Sequence, residues 1–252
     1  MGSSELSRRR RQMGEALAGW SGVPGAEHSV GAGSWTFLST LPSADVNFAL
    51  VHGSDPKDLH VVVDRINEVS VPAMVFLTGD GLALAESLGA GWSHVGSMPF
   101  MIADVAATPQ QLDPRVRRAT TEDRSAVVGL MADAFGMPVE AIEPIVDASL
   151  VGPEGGMIVW LLEHEGQAVS TVVSGRAGDA ITLWCMATPE RFARRGFARA
   201  LLASTMARAT SDGAQVGLLG ATPAGKPLYD ATGWSTLEDW EIFATGDSAQ
   251  FH

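Results

Sequence analysis

The sequence of 252 residues has one cysteine, one tyrosine, few basic residues and no long hydrophobic run. The single cysteine, Cys185, excludes an internal disulfide framework and a cysteine-rich zinc site, and no metal site is predicted. Lys and Arg total 17 against 29 Asp and Glu, and a net charge of −12 argues against nucleic-acid binding, which needs a basic face. The longest apolar run, residues 157–162, is far shorter than the roughly 20 residues that span a bilayer, so no membrane partner is expected.

The N-terminal segment is polar and contains four consecutive arginines, residues 8–11. No apolar stretch of signal-peptide length follows them, which predicts a cytoplasmic protein. Residues 21–34 are rich in Gly, Ser and Ala. Residues 1–34 are therefore predicted to be weakly ordered, with solvated arginines. An RNA- or membrane-binding arm is the less favoured alternative.

From residue 35 onward, hydrophobic periodicities of strands and helices alternate, which indicates an α/β fold. The first half has the order strand, strand, helix, strand, short helix, strand. The second half has the order β-α-α-β-β-β-α-β-α-β and predicts a mixed sheet. A polar linker at residues 105–113 separates the halves, so we predict two domains, residues 35–112 and 113–252.

A short internal repeat links the two halves. Residues 88–92 (Leu-Gly-Ala-Gly-Trp) resemble residues 231–234 (Ala-Thr-Gly-Trp), and each follows a short strand and a short helix and precedes a strand. The match is only a few residues long, but the shared order of elements strengthens it. We infer two similar domains, of which the first is degenerate.

The chemistry is concentrated in residues 188–199, which leave a strand and enter a helix. Gly196 permits a close backbone approach, and a helix N-terminus presents unpaired N–H groups to an anion. Four arginines in nine positions suit a ligand with several phosphates: Arg191, Arg194, Arg195 and Arg199. The alternative, a glycine-kinked helix start with solvated arginines, is about equally favoured by this loop alone. The loop lacks the Gly-Lys-Ser/Thr ending of a P-loop.

A second motif occupies residues 221–234 and contains the only tyrosine. Thr222 can cap a short helix that has Pro223 at its first position, and Gly233 can end it. Tyr229 lies on this helix, where the ordinary interpretation is a half-buried aromatic residue.

Together, the segment Arg-Arg-Gly-Phe-Ala between a strand and a helix and the later Tyr-Asp-Ala-Thr-Gly-Trp resemble the GCN5-related N-acetyltransferase (GNAT) family. The resemblance covers about 130 residues and implies the GNAT fold, a mixed, mostly antiparallel sheet flanked by helices. The first half resembles the second half of a GNAT domain, as in tandem members. It lacks the family motifs, because residues 52–56 replace the phosphate loop and Ser87 lies opposite Tyr229.

The resemblance implies acetyl-CoA as cosubstrate and a direct acetyl transfer to a primary amine, with Tyr229 as the general acid that protonates the CoA thiolate. The backbone of Cys185, Met186 and Ala187 would bind the pantetheine arm. The pyrophosphate would be held by the N–H groups of residues 194–199, namely Arg194, Arg195, Gly196, Phe197, Ala198 and Arg199. One departure is Ala193, where the family usually has Gln or Arg.

The general base is not identified by the sequence. Glu190, Glu163 and His164 are candidates, although Glu163 and His164 also fit a turn between strands. Cys185 is better explained as a sheet residue than as a nucleophile, because no histidine is clearly paired with it.

Two alternatives to an enzyme remain open: a non-catalytic acyl-CoA-binding or regulatory module, and a scaffold that binds no CoA. For an enzyme, the acidic surface favours a cationic acceptor such as a polyamine, an aminoglycoside-like compound or a peptide lysine. The degenerate half would cover the acceptor side or form the face of a homodimer.

Overall fold

The computed structural model describes residues 2–151 and 156–246, so parts of the predicted segments 1–34 and 113–252 lie outside the described residues. In this part of the chain, eleven strands form one continuous sheet. The strands are β1 (Glu27–Val30), β2 (Ser34–Leu38), β3 (Phe48–Val51), β4 (Met74–Leu77), β5 (Ser93–Asp104), β6 (Val116–Arg118), β7 (Met157–His164), β8 (Gln167–Ala177), β9 (Ala180–Ala187), β10 (Val216–Gly220) and β11 (Ser235–Ala244). The mixed α/β architecture matches the prediction.

The α-helices of the described residues are α1 (Ser3–Ala16), α2 (Pro56–Val69), α3 (Arg124–Phe135), α4 (Val139–Leu150), α5 (Phe197–Ser211) and α6 (Lys226–Asp230). Asp55 accepts a hydrogen bond from the Lys57 N–H at the start of α2, and Pro56 occupies its first turn. Thr120 and Asp123 form a capping box before α3. Within the described ranges, no helix combines the length and apolar character needed to cross a membrane.

The strand order is β1-β2-β3-β4-β11-β5-β10-β9-β8-β7-β6. It contains two parallel pairs, β3 with β4 and β9 with β10, each connected through one long helix, α2 or α5. The last strand of each half crosses over: β11 lies between β4 and β5, and β5 lies between β11 and β10. The two halves therefore form one sheet, which continues past the predicted domain boundary at residue 112. Their origin as two related domains stays a prediction.

The structure corrects the prediction that residues 1–34 are weakly ordered. They form α1, a 3₁₀ helix at residues 17–20, and β1, which pairs with β2. Met13, Leu17 and Trp20 are each at most 2% exposed. Their spacing of four and three residues places them on one helix face, a pattern that the polar arginine run obscures.

The arginines of α1 are also not all solvated, because three of them contact the second half of the chain: Arg8, Arg9 and Arg10. Arg10 forms a bidentate pair with Glu238 on β11, at 2.5 and 2.8 Å, and both side chains are nearly buried. Arg9 contacts Asp179, in the turn between β8 and β9, at 2.8 Å. Helix α1 is therefore fixed across the sheet by charge-assisted hydrogen bonds.

The core lies on both faces of the sheet, as the alternation along β3 and β4 demonstrates. Phe48 and Phe76 belong to the large central core that continues into the second half. Val51 and Val75 point the other way, into a smaller core closed by α2. The central core faces the site described below.

Candidate functional site

The sheet opens between β9 and β10, and β9 carries the three residues that the family resemblance assigns to the pantetheine arm. These parallel strands pair at only three positions, the last joining Thr182 and Leu218. Beyond this point residues 183–187 of β9 have no partner on β10 among the described strands. The backbone edge of β9 is therefore left free on that side.

A β-bulge lies in the free part of β9. Trp184 pairs with Val173 and Ala187 pairs with Thr171, so Cys185 and Met186 have no partner residue on β8. Cys185 adopts φ +49°, in the left-handed region that non-glycine residues rarely occupy. The bulge takes Cys185 and Met186 out of register with β8, on a strand whose other edge is already unpaired with β10 at these positions.

Helix α5 begins beside this opening, and its N-terminus lines a cavity of about 610 Å³, which we call the α5 cavity. Gly196 precedes the helix with φ +81°, and the helical hydrogen bonding starts with the Ala200 N–H donating to the Gly196 carbonyl. In the hydrogen-bond network of residues 2–151 and 156–246, no bond is donated by the backbone N–H of Arg194, Arg195 or Gly196. Free N–H groups and the helix dipole make this end suited to an anion.

The four arginines near α5 do not act alike. Arg194 and Arg199 line the α5 cavity and are exposed. Arg191 instead forms an ion pair with Asp133 on α3, so its charge is already compensated. The Arg195 guanidinium lies 4.8 Å from the centre of the Phe197 ring.

The remaining predicted residues of this loop lie on the same cavity. Phe197 and Ala198, in the first turn of α5, line it together with Ala193. The Ala193 N–H is used inside the loop, where it donates to the Glu190 carbonyl at 3.0 Å. Position 193 therefore adds a methyl group to the cavity wall and no polar contact.

Tyr229 lies at the open end of β9. Its hydroxyl group donates a hydrogen bond to the Met186 sulfur at 3.4 Å, and its ring packs edge-on against Trp234. The residue is 6% exposed, and burial raises the pKa of the phenol above its ordinary value. The phenol therefore stays protonated at neutral pH. The preceding turn is fixed by Thr222, whose Oγ1 accepts from the Gly225 N–H at 3.1 Å.

A second cavity, of about 260 Å³, lies on the other side of Tyr229, between the two halves of the chain; we call it the central cavity. Thr222, Gly225 and Tyr229 line it, whereas Ala224 and Leu228 of the same segment line the α5 cavity. The segment 222–229 therefore separates the two cavities. Six methionines of the described chain line the central cavity: Met13, Met74, Met98, Met131, Met137 and Met186.

Cys185 also lines the central cavity. Burial raises the pKa of its thiol to about 12, so the thiol is neutral and a poor nucleophile. Ala187 is buried at the end of β9, and its carbonyl accepts from the Ser170 hydroxyl at 3.3 Å. Of the three predicted strand residues, Cys185 and Met186 are thus the ones left without strand partners.

The three candidate bases lie away from the central cavity. Glu163 pairs with Arg117 at 2.7 Å at the far edge of the sheet. The His164 ring packs on Phe197 at 4.9 Å, and Glu190 lines the α5 cavity. None of them faces the side of Tyr229 on which an acceptor would have room.

One site residue was missed by the sequence reasoning. Asp45, in a 3₁₀ turn at residues 44–46, lines the central cavity and accepts a hydrogen bond from the Ser43 hydroxyl at 3.2 Å. Burial raises the pKa of this carboxyl group. Nothing in the local sequence distinguishes Asp45, because only the fold brings the first half to the site. Within the described residues, no cluster of three or more His, Cys, Asp and Glu is arranged to hold a metal ion.

The corresponding place in the first half is closed. Strands β3 and β4 remain paired along all four residues of each, so no opening forms between them. The Asp58 carboxylate, in the first turn of α2, packs against Gly33 and Gly53, where a Cβ on either residue would come within 2.6 Å of its oxygen. A fixed carboxylate at this helix start opposes an anionic ligand.

Solved structures with a similar fold include GCN5-related N-acetyltransferases. The enzyme from Kribbella flavida superposes with a TM-score of 0.67 at 16% identity, covering 94% of this chain and 95% of that one. The enzyme from Sphaerobacter thermophilus gives 0.59 at 16% identity, with 97% and 94% covered. A GCN5-related N-acetyltransferase-like protein from Streptococcus suis 89/1591 gives 0.54 at 16% identity, with 97% and 100% covered.

No protein-family model and no curated protein sequence matches the chain. At identities of 16%, the structural likeness establishes the GNAT fold. It extends over nearly the whole length of both chains, and so includes the first half, where the sequence motifs of the family are missing.

Proposed function

We propose that the protein is an acetyl-CoA-dependent N-acetyltransferase that moves the acetyl group directly to a primary amine. The observation that carries the proposal is the position of Tyr229, in the segment that separates a cavity at a helix N-terminus from a second, apolar cavity. A donor and an acceptor that enter from opposite sides would meet at its hydroxyl group.

The described residues fit acetyl-CoA, which would supply the activated acetyl group. The free N–H groups at residues 194–196 and the start of α5 suit a pyrophosphate. Arg194 and Arg199 add positive charge at the α5 cavity. The unpaired backbone of Cys185 and Met186 suits the amide groups of a pantetheine arm, which can bind as an additional strand would. Arg195 is expected to contribute its backbone, since its guanidinium lies over Phe197.

Tyr229 is assigned the role of general acid. Its hydroxyl group donates a hydrogen bond to the sulfur atom of Met186. The sulfur of a departing thiolate carries a negative charge and is a stronger hydrogen-bond acceptor. The buried phenol is protonated at neutral pH and can pass its proton to the thiolate as the carbon–sulfur bond breaks. Protonation makes the thiol a better leaving group and prevents its return to the acetyl carbon.

Two measurements distinguish this proposal from its alternatives. Acetyl-CoA should raise the melting temperature, and thiol release should depend on an added amine. Stabilisation by acetyl-CoA with no thiol release for any amine in a broad panel would instead favour a binding or regulatory module. The absence of stabilisation at millimolar acetyl-CoA would favour a scaffold. Homodimer formation and a cytoplasmic location stay predictions, which size-exclusion chromatography and cell fractionation can test.

A further inference from the structure

The central cavity has walls from both halves of the chain, and these walls are almost entirely apolar. Trp35, Phe48 and Phe76 of the first half face Trp184 of the second. With the six methionines, they provide polarizable and aromatic surface that fits flat or branched hydrocarbon groups. The volume of about 260 Å³ is near the lower bound of roughly 300 Å³ for small-molecule sites, so a compact ligand is favoured.

Asp45 is the only carboxylate among the described residues that line this cavity. The other titratable groups on its walls are the Cys185 thiol and the Tyr229 phenol, both neutral at pH 7 because burial raises the pKa of each. The described walls of the cavity therefore offer one negatively charged group to pair with one ammonium group. A polyamine or an aminoglycoside carries several charges, and its additional ammonium groups would lie unpaired against apolar walls.

The entrance is apolar as well. Phe135, at the end of α3, lines the central cavity and is 39% exposed, and Met137 follows it in the turn before α4. An apolar rim allows a hydrophobic ligand to remain in contact with protein as it leaves water. The rim and the walls of the cavity therefore both favour an apolar ligand.

We propose that the acceptor is a primary amine with one positive charge and a compact aromatic or branched hydrocarbon body, whose ammonium group is held by Asp45. This inference rests on the proposed function and replaces the polycationic acceptor that the net charge favours. It also gives the first half of the chain a function, because that half supplies Asp45 and one apolar wall of the acceptor site.

The transfer releases two protons from the amine nitrogen, one to solvent and one to Tyr229. The ammonium group transfers one proton to the Asp45 carboxylate, which passes it to solvent. The neutral nitrogen then forms a bond to the acetyl carbon while the carbon–sulfur bond breaks and Tyr229 protonates the thiolate. The second nitrogen proton, released as the amide forms, restores the phenol of Tyr229.

Binding and turnover test the proposal separately. With CoA present, calorimetry should detect 2-phenylethylamine binding at least tenfold more tightly than putrescine. The kcat/KM for thiol release should favour 2-phenylethylamine by a similar factor. Asp45→Asn should weaken 2-phenylethylamine binding at least tenfold and leave the Kd of acetyl-CoA unchanged. Asp64→Asn, the same change at an exposed position on α2, should alter neither.

Ala141→Phe is a second variant that leaves the carboxylate intact. Ala141 is half-buried on the cavity wall, so the larger ring should fill part of the cavity and reduce amine binding at least tenfold. Equal or tighter putrescine binding, or full 2-phenylethylamine binding by Asp45→Asn, would overturn the inference. Selective amine binding without thiol release would contradict the proposed function but leave the acceptor site supported.

Discussion

Adding one methyl group at Gly196 should separate CoA binding from stability. This residue has φ +81°, and a Cβ there would meet no atom within 4 Å, so it would project into open space at the α5 cavity. The left-handed conformation costs a residue with a Cβ roughly 1–2 kcal/mol. The reduced freedom of the unfolded chain returns roughly 0.4–1 kcal/mol. Gly196→Ala should therefore lose about 1 kcal/mol of stability, or about 2–4 °C in melting temperature.

The chain contains a matched control for this change. Gly213, just beyond the other end of α5, has φ +79° and equally open space. Gly213→Ala should lose about the same stability and bind CoA normally, whereas Gly196→Ala should bind CoA at least tenfold more weakly, about 1.4 kcal/mol. Calorimetry with CoA and thermal melts of both variants provide the comparison. Equal CoA affinity of the two variants would refute the assignment of the pyrophosphate to this helix end.

Three further predictions concern other parts of the molecule. Burial, together with the nearby Arg10 charge, lowers the pKa of His52, so the unfolded chain takes up a proton there below about pH 6.5 that the folded chain does not. Acid should therefore destabilise the wild type more than His52→Gln, and a constant difference between their melting temperatures from pH 7.5 to 5.5 would contradict this. Arg10→Ala leaves Glu238 nearly buried without its guanidinium and should lower the unfolding free energy by about 3–5 kcal/mol in urea. Arg11→Ala, which removes an exposed pair, should change it by less than about 0.5 kcal/mol, and equal effects would be inconsistent with the anchoring of α1. The raised pKa of the half-buried Cys185 thiol should make its reaction with a disulfide reagent at pH 8 at least about 100-fold slower in the folded than in the urea-unfolded protein, and comparable rates would contradict that raised pKa.

The regular elements could be predicted because their signals are local. The repeats of apolar residues located the helices and strands of both halves, and the cap of α2 joins residues only two positions apart, Asp55 and Lys57. The exchange of β5 and β11 could not be predicted, because each crosses into the other half of the sheet without any local signal. Helix α1 was missed because its burial depends on distant partners, Asp179 and Glu238, rather than on its own composition.

The residues of the candidate site were likewise predictable only where their signals are local. Gly196 and Tyr229 each lie in a motif of consecutive residues, so the sequence identified the helix start and the lone phenol. The bulge at Cys185 depends on the register between β8 and β9, which no single segment encodes. Asp45 lies more than a hundred residues from either motif, and only the shared sheet brings it to the central cavity.

Steady-state kinetics and acetyl-CoA binding of Tyr229→Phe test the role of the phenol as general acid. This change removes one hydroxyl group and keeps the ring that packs on Trp234, so the fold should persist. Loss of the general acid should lower kcat for amine-dependent thiol release by roughly 10²–10⁴-fold. The Kd of acetyl-CoA should stay within about twofold of wild type. Undiminished kcat in Tyr229→Phe would contradict the assignment of the phenol as the acid of an acetyl transfer.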